Sequence, residues 1–206
     1  MRIAIIDRHP AMRAGIEAIL ARAADVEVVA GVGHDRHELA HALYRTAPDI
    51  VMIEDAPGRV DGVELAREIT SFGPGPKVLV HADRPDAVQV AAAMLADADG
   101  ILDSGAPPRE IVEAVRTVAA GRTAFPDLGP RERAELARRL PAEDHAILAM
   151  RLAATPRAEI SDTLRLDARA LARRVAAMIK RLREGAAATL SAGPSALRGP
   201  LPSPGV

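Results

Sequence analysis

Five short apolar runs recur along the first 103 residues, each followed by a stretch with helical spacing. They are "RIAIID" from Arg2, "VEVVAGVG" from Val26, "DIVMIE" from Asp49, "KVLVHA" from Lys77 and "GILD" from Gly100. Each reads as a strand. In "PAMRAGIEAILARA" the residues Met12, Ile16, Ile19 and Leu20 fall on one helical face. "RHELAHALYRT", "DGVELAREI", "DAVQVAAAMLA" and "PREIVEAVRTVAAG" read as four more helices, the last with Pro108 in its first turn and Gly121 as its stop. Strands that alternate with helices predict an α/β domain built on a doubly wound parallel sheet. In such sheets ligands and chemistry gather beyond the carboxyl ends of the strands. Those ends read Asp7, Glu54, His81-Ala82 and Asp103-Ser104.

After "AFPDLG" the strands stop. "PRERAELARRL" reads as a charged connecting helix, and "AEDHAILAMRLA", "RAEISDTL" and "DARALARRVAAMIKRL" as three helices with short breaks between them. From Gly185 the chain is rich in Ala, Gly, Ser and Pro and is expected to be disordered. The expected organisation is a first domain over 1–122, a linker and connecting helix over 123–139, a helical domain over 140–184 and a tail over 185–206. Charge divides the same way. Residues 1–128 carry 13 Lys and Arg against 20 Asp and Glu, while residues 129–184 carry 13 against 8. The basic second part is a candidate for binding polyanions.

Composition removes several classes of function. Cysteine is absent, so disulfides, thiolate metal sites and a cysteine nucleophile are excluded. The opening apolar run is too short for a signal peptide, and no run approaches the roughly 20 residues of a spanning helix. A cytoplasmic protein without membrane contact is expected. Aromatics are only 1% of the chain, which argues against stacking on single-stranded nucleic acid. There is no G-x-G-x-x-G or P-loop, and no complete nucleophile, metal or cofactor set, so no enzyme activity and no cofactor are expected. Arginine outnumbers lysine 25 to 2, a coding bias toward GC.

With these elements in place, the chain resembles a two-component response regulator of the NarL/LuxR type over roughly residues 1–183. "IIDRHPAMRAGIEAIL", "PDIVMIE...DG" and "LADADGILDSGAPPREIVEAVRTVAAGR" are similar to receiver motifs of that family. "LPAEDHAILAMRLAATPRAEISDTLRLDARALARRV" resembles its helix-turn-helix without a gap, with Asp144, Ile147, Leu148, Glu159, Ile160, Leu164 and Val175 on family positions. The resemblance implies a flavodoxin-like receiver of strand order 2-1-3-4-5 followed by a small all-α helix-turn-helix domain.

The resemblance also implies what a working receiver needs. Two acids after the first strand and an acceptor aspartate hold Mg²⁺, and a hydroxyl and a lysine hold the new phosphate. Asp7 keeps one acid, but Arg8 stands at the second. The acceptor position falls on Glu54, one methylene too long for in-line attack. Asp55 does not replace it, because one step along a strand turns the side chain to the other face. The hydroxyl position falls on Ala82, or on His81 with a one-residue shift. The lysine position falls on Ser104, or on Asp103 with the same shift. A degenerate pocket is therefore expected, which neither holds Mg²⁺ tightly nor accepts phosphate. Glu54 reads either as a permanent phosphate mimic or as an acid left from a lost site. A small-molecule or protein effector at the old pocket is implied by analogy alone. His37 and His41, four apart on a helix, read as solvated surface rather than as metal ligands.

In "RLDARALARRVAAMIKRLR" Asp167 reads as the N-cap, and Leu171, Val175, Met178 and Leu182 form one apolar stripe. Arg169, Arg173 and Lys180 fall opposite that stripe, with Arg174 and Arg181 on its flank. Cations so placed on the second helix of a helix-turn-helix reach phosphates and guanine edges in the major groove of duplex DNA. Ala154 stands where the family turn has glycine, and no fourth helix follows Arg183. If a homodimer forms, the receiver or the connecting helix is its expected contact. The expectation is an orphan transcription regulator that binds double-stranded DNA. Two rivals are a module that sequesters another regulator and a phosphotransfer receiver using Asp55.

Overall fold

The computed structural model describes residues 1–56, 59, 61–71 and 75–191, the last seven as backbone only. Strands β1 (Arg2–Ile6), β2 (Glu27–Val32), β3 (Ile50–Glu54), β4 (Lys77–Ala82) and β5 (Gly100–Asp103) form one sheet in the order 2-1-3-4-5. Every pairing is parallel. The fold class and strand order are those expected from the sequence.

Alternation along the strands assigns the two faces. Ile3, Ile5, Ile50, Met52 and Leu79 pack under α1 (Pro10–Leu20) and α5 (Pro108–Ala119). Ile6, Val51, Ile53, Val78 and Val80 face the other way, under α2 (Arg36–Thr46), α3 (Gly62–Ser71) and α4 (Ala87–Leu95). Both faces are covered, so β3 is apolar until Glu54 and buried throughout.

Helix α4, "AVQVAAAML", is apolar on nearly every side. Val88, Val90, Ala91, Ala92, Ala93 and Leu95 are all buried. A helix of this kind must be covered on its outer side too. The rest of the chain does this: α6 (Pro130–Arg138), a 3-10 turn (Ala142–Asp144), α7 (His145–Leu152), α8 (Arg157–Leu164) and α9 (Ala168–Ser191). Leu136, Leu140, Ile147, Leu148, Ile160, Met178, Ile179 and Leu182 join the α4 side of the sheet in one continuous core. The sequence suggested separate modules; packing fuses them. A buried Arg151 secures the join. Its Nε and Nη2 donate to the Met94 carbonyl at the end of α4, at 3.2 and 2.5 Å, and it pairs with Asp97, as does Arg157. A cation on the last carbonyls of a helix is favoured by their partial negative charge.

Helix α9 runs to Ser191, past Arg183 where the sequence reading ended it and into the stretch expected to be disordered. The rest of that expected tail, 192–206, lies outside the described residues. Among the described residues no helix is long and apolar enough to cross a membrane.

Two backbone positions yield measurable consequences. A Cβ at Gly62 would sit 2.1 Å from the Glu54 carbonyl oxygen, so the start of α3 crosses the end of β3 where only glycine fits. Gly62→Ala is expected to cost about 1–3 kcal/mol in chemical denaturation, because the obstacle is backbone and cannot swing away. Ala154, between α7 and α8, has a φ of 57°, a left-handed conformation unfavourable for a residue with a Cβ. Ala154→Gly is expected to raise stability by about 1 kcal/mol in the same measurement.

Candidate functional site

The carboxyl ends of β1, β3, β4 and β5 surround a cavity of about 500 Å³ lined by Asp7, Arg8, Glu54, Asp55, His81 and Ser104 among others. Glu54, buried at the end of β3, turns toward β1. Its carboxylate accepts the Arg8 backbone amide at 3.0 Å and the Arg8 Nε at 3.3 Å. His9 Nδ1 lies 3.3 Å from Glu54 Oε1 and 3.3 Å from Asp7 Oδ1. Asp7 accepts the His9 amide at 2.6 Å. Burial raises the Asp7 pKa, and the adjacent Glu54 adds to that rise. Burial also opposes ionisation of Glu54, but the Arg8 amide, His9, Asp7 and the Arg8 guanidinium together hold its pKa below the usual carboxylate range.

Asp55 turns the other way. Its carboxylate accepts the Val63 amide at 3.2 Å, Gln89 Nε2 at 3.3 Å, and Arg183 Nη1 at 3.0 and 3.1 Å. Neighbours in sequence, Glu54 and Asp55 thus serve opposite walls of the cavity. Glu54 ties β3 to the loop after β1. Asp55 ties β3 to α3, α4 and Arg183 of α9. This follows from the two-residue period of a strand.

Across the cavity Ala82 is buried and offers no hydroxyl. Ser104 Oγ lies 3.0 Å from His81 Nδ1. His81 is 1% exposed, and burial pushes its pKa down to about 4, so the ring is neutral near pH 7. Asp103 accepts the Gly105 and Arg84 amides at 2.9 and 3.2 Å, a loop-closing role. These residues do not fit the Mg²⁺ that the receiver resemblance implies. That ion requires oxygen donors in octahedral array. Here a guanidinium and an imidazole stand against the carboxylates.

On α9 the Asp167 carboxylate accepts the Ala170 amide at 2.8 Å and caps the helix. Leu171, Val175, Met178 and Leu182 are buried. Arg169, Arg173, Lys180 and Arg181 are exposed, Lys180 with a loose partner in Glu184 at 3.8 Å. Arg174 departs from the reading as a DNA contact. Its Nε donates to Asp144 Oδ1 at 2.8 Å and its Nη2 to the Glu143 carbonyl at 2.5 Å, so it braces the turn before α7. One step along the helix turns the side chain by about 100°, and that separates it from Arg173. His37 and His41 are exposed on α2.

Arg183, Arg151 and His34 gave no sequence signal as site residues. Arg183 and Asp55 are 128 positions apart, and nothing local marks them as partners. His34 Nδ1 lies 4.0 Å from Glu54 Oε2, brought there by the loop after β2. His9 had one signal: it stands between Arg8 and the Pro10 that opens α1, where its ring borders the acids.

A five-stranded parallel sheet in this order, with acids gathered at the ends of β1 and β3, defines a receiver-type α/β domain. The chain belongs to the response regulator receiver domain family, which matches residues 3–116. It is 32% identical to the transcriptional regulatory protein DegU of Brevibacillus brevis, over 59% of this chain and 51% of DegU. A two-component response regulator of the LuxR family from Aurantimonas is 28% identical, with a TM-score of 0.55 over 66% of this chain and 95% of that one. The fold of the RcsB response regulator of Salmonella typhimurium extends over 88% of this chain and 91% of that one, at a TM-score of 0.56 and 19% identity. The chain spans little more than half the length of the curated relatives it matches. Two of those relatives are named as transcriptional regulatory proteins and a third as a response regulator.

The Asp55–Arg183 pair is open to a direct test. Asp55 is 2% exposed, so Arg183→Leu leaves a buried carboxylate short of a cation. That change is expected to cost about 3 kcal/mol in chemical denaturation, whereas Asp55→Leu combined with Arg183→Leu should recover most of the loss.

Proposed function

We propose that this chain is a DNA-binding transcription regulator of the response-regulator type, an orphan whose receiver is not switched by aspartyl phosphorylation. The carrying observation is the division of α9. Its apolar side is sealed in the shared core, while Arg169, Arg173, Lys180 and Arg181 stay in solvent. Long cations on the exposed face of the second helix after a tight turn can reach phosphates and guanine edges in a major groove. The naming of two relatives as transcriptional regulatory proteins supports the same reading. Leu136 and Leu140 are spent in the core, which moves a homodimer contact from the connecting helix to the receiver.

The pocket supports control by something other than phosphate. Arg8 occupies Glu54, no hydroxyl stands at Ala82, and Ser104 faces His81. Glu54 reads as an anchor rather than as a phosphate mimic. Its partners, Arg8, His9 and His34, lie after β1 and β2. A mimic would have to draw in the ends of β4 and β5. Asp55 is already committed to Arg183, which weighs against phosphotransfer at that residue.

Fluorescence anisotropy with labelled fragments of the source genome tests the DNA reading. Arg169→Ala with Arg173→Ala is expected to weaken binding to all fragments and to reduce the slope of log K against log salt by about 2. The melting temperature should hardly move. Arg174→Ala should instead lower stability, since it unties Asp144. Absence of binding at low salt would transfer the function to a module that sequesters another regulator. Incubation with acetyl phosphate and Mg²⁺ should add no phosphate to the intact mass.

A further inference from the structure

The side chains of α9 that reach solvent over 168–184 are of few kinds. They are Ala, Arg and Lys, with Glu184 at the far end. That span holds no Ser, Thr, Asn or Gln. Adenine is read by Asn or Gln and cytosine by Asp or Glu, so neither base has a matching side chain at the start of the helix. Asp167 is engaged in the cap, where its carboxylate accepts the Ala170 amide. Ala168, Ala172 and Ala177 add at most a methyl contact to thymine. Guanine is left to Arg169 and Arg173. A bidentate contact to a base edge needs a guanidinium held in one orientation. The guanidinium groups of α9 that are so held serve the protein itself, Arg174 on Asp144 and Arg183 on Asp55. Arg169 and Arg173 are exposed, and among the described residues nothing braces them.

Phosphate contact makes no such demand, and the loose cations suit it. Arg169 and Arg173 stand about one turn apart, where like charges repel. A polyanion relieves that repulsion. Arg165 adds a further exposed cation in the turn between α8 and α9. It sits at a φ of 53°, a left-handed conformation that glycine would hold with less strain. Strain of this kind gathers where a side chain meets a ligand.

We infer that α9 and the turn before it hold duplex DNA by its phosphates, with little regard to base sequence. The ligand class is B-form duplex DNA of any sequence, and the inference rests on the DNA-binding reading above. Arg165, Arg169, Arg173, Lys180 and Arg181 supply the grip. Affinity then follows charge and salt rather than a motif.

Repeated selection by the full chain from a pool of random-sequence duplexes, followed by sequencing, tests this. No motif should emerge. Fluorescence anisotropy should place the selected pool within about tenfold of the starting pool, far short of the preference of a sequence-specific protein. Raising salt from about 50 to 200 mM should weaken both roughly a hundredfold. Arg165→Ala should weaken both by the same factor and reduce the slope of log K against log salt by about 1. Alanine keeps a Cβ at that φ, so the fold should be retained, which the melting temperature checks. A selected motif held more than tenfold tighter than the starting pool would overturn the inference and leave the DNA reading standing. So would an Arg165→Ala loss confined to one pool. Duplex RNA bound as tightly as duplex DNA would overturn it too, because the major groove of an A-form helix is too narrow for α9 to enter. Absence of binding to any duplex at low salt would remove the inference and the DNA reading together.

Discussion

Helix α4 has no side to give to water, and the arrangement of the whole chain follows from that. Its inner side packs on β3 and β4 like any helix of a doubly wound sheet. Its outer side, with valine and alanine all round, is stable only under another layer. The four helices after residue 129 supply that layer. Apolar surface leaves water on both sides of α4 at once, so the sheet and the helical part gain stability together. Arg151 adds a polar bolt at the carboxyl end of α4, on the Met94 carbonyl that also accepts the Asp97 amide.

The same packing connects the acid pocket to the basic helix. α9 packs against α4, and its Arg183 reaches the carboxyl end of β3. Arg183 thereby meets Asp55, which a one-residue step had turned away from Glu54. Two acids side by side in sequence end in two networks. One joins the loops after β1 and β2, and the other joins β3 to the helix whose opposite face carries the free cations. A change in the pocket has a short, contiguous physical route to α9.

Much of the fold was legible because its signals are local. Five apolar runs and the helices between them depend on period alone, and all five strands and α1 to α5 lie where those periods placed them. The apolar stripe of α9 was legible for the same reason, and so was the Asp167 cap. The pocket was legible only as a set of departures: Arg8, Glu54, Ala82 and Ser104 each stood where a receiver resemblance required another group. How those residues would pair was not visible. Arg174 looked like a neighbour of Arg173 and became a brace for Asp144. The joint core was missed because α4 announces that it needs a cover without saying which segment provides it.

The sequence by itself determined the sheet, its helices and the cationic face of α9, since periodicity and charge are properties of short stretches. Only the tertiary structure decided that the two halves share one core, that Asp55 holds Arg183, and that His9 and His81 converge on the acids. Those outcomes need groups up to 128 positions apart to meet. Such meetings are set by which surfaces must leave water together, a property of the whole chain and of none of its segments.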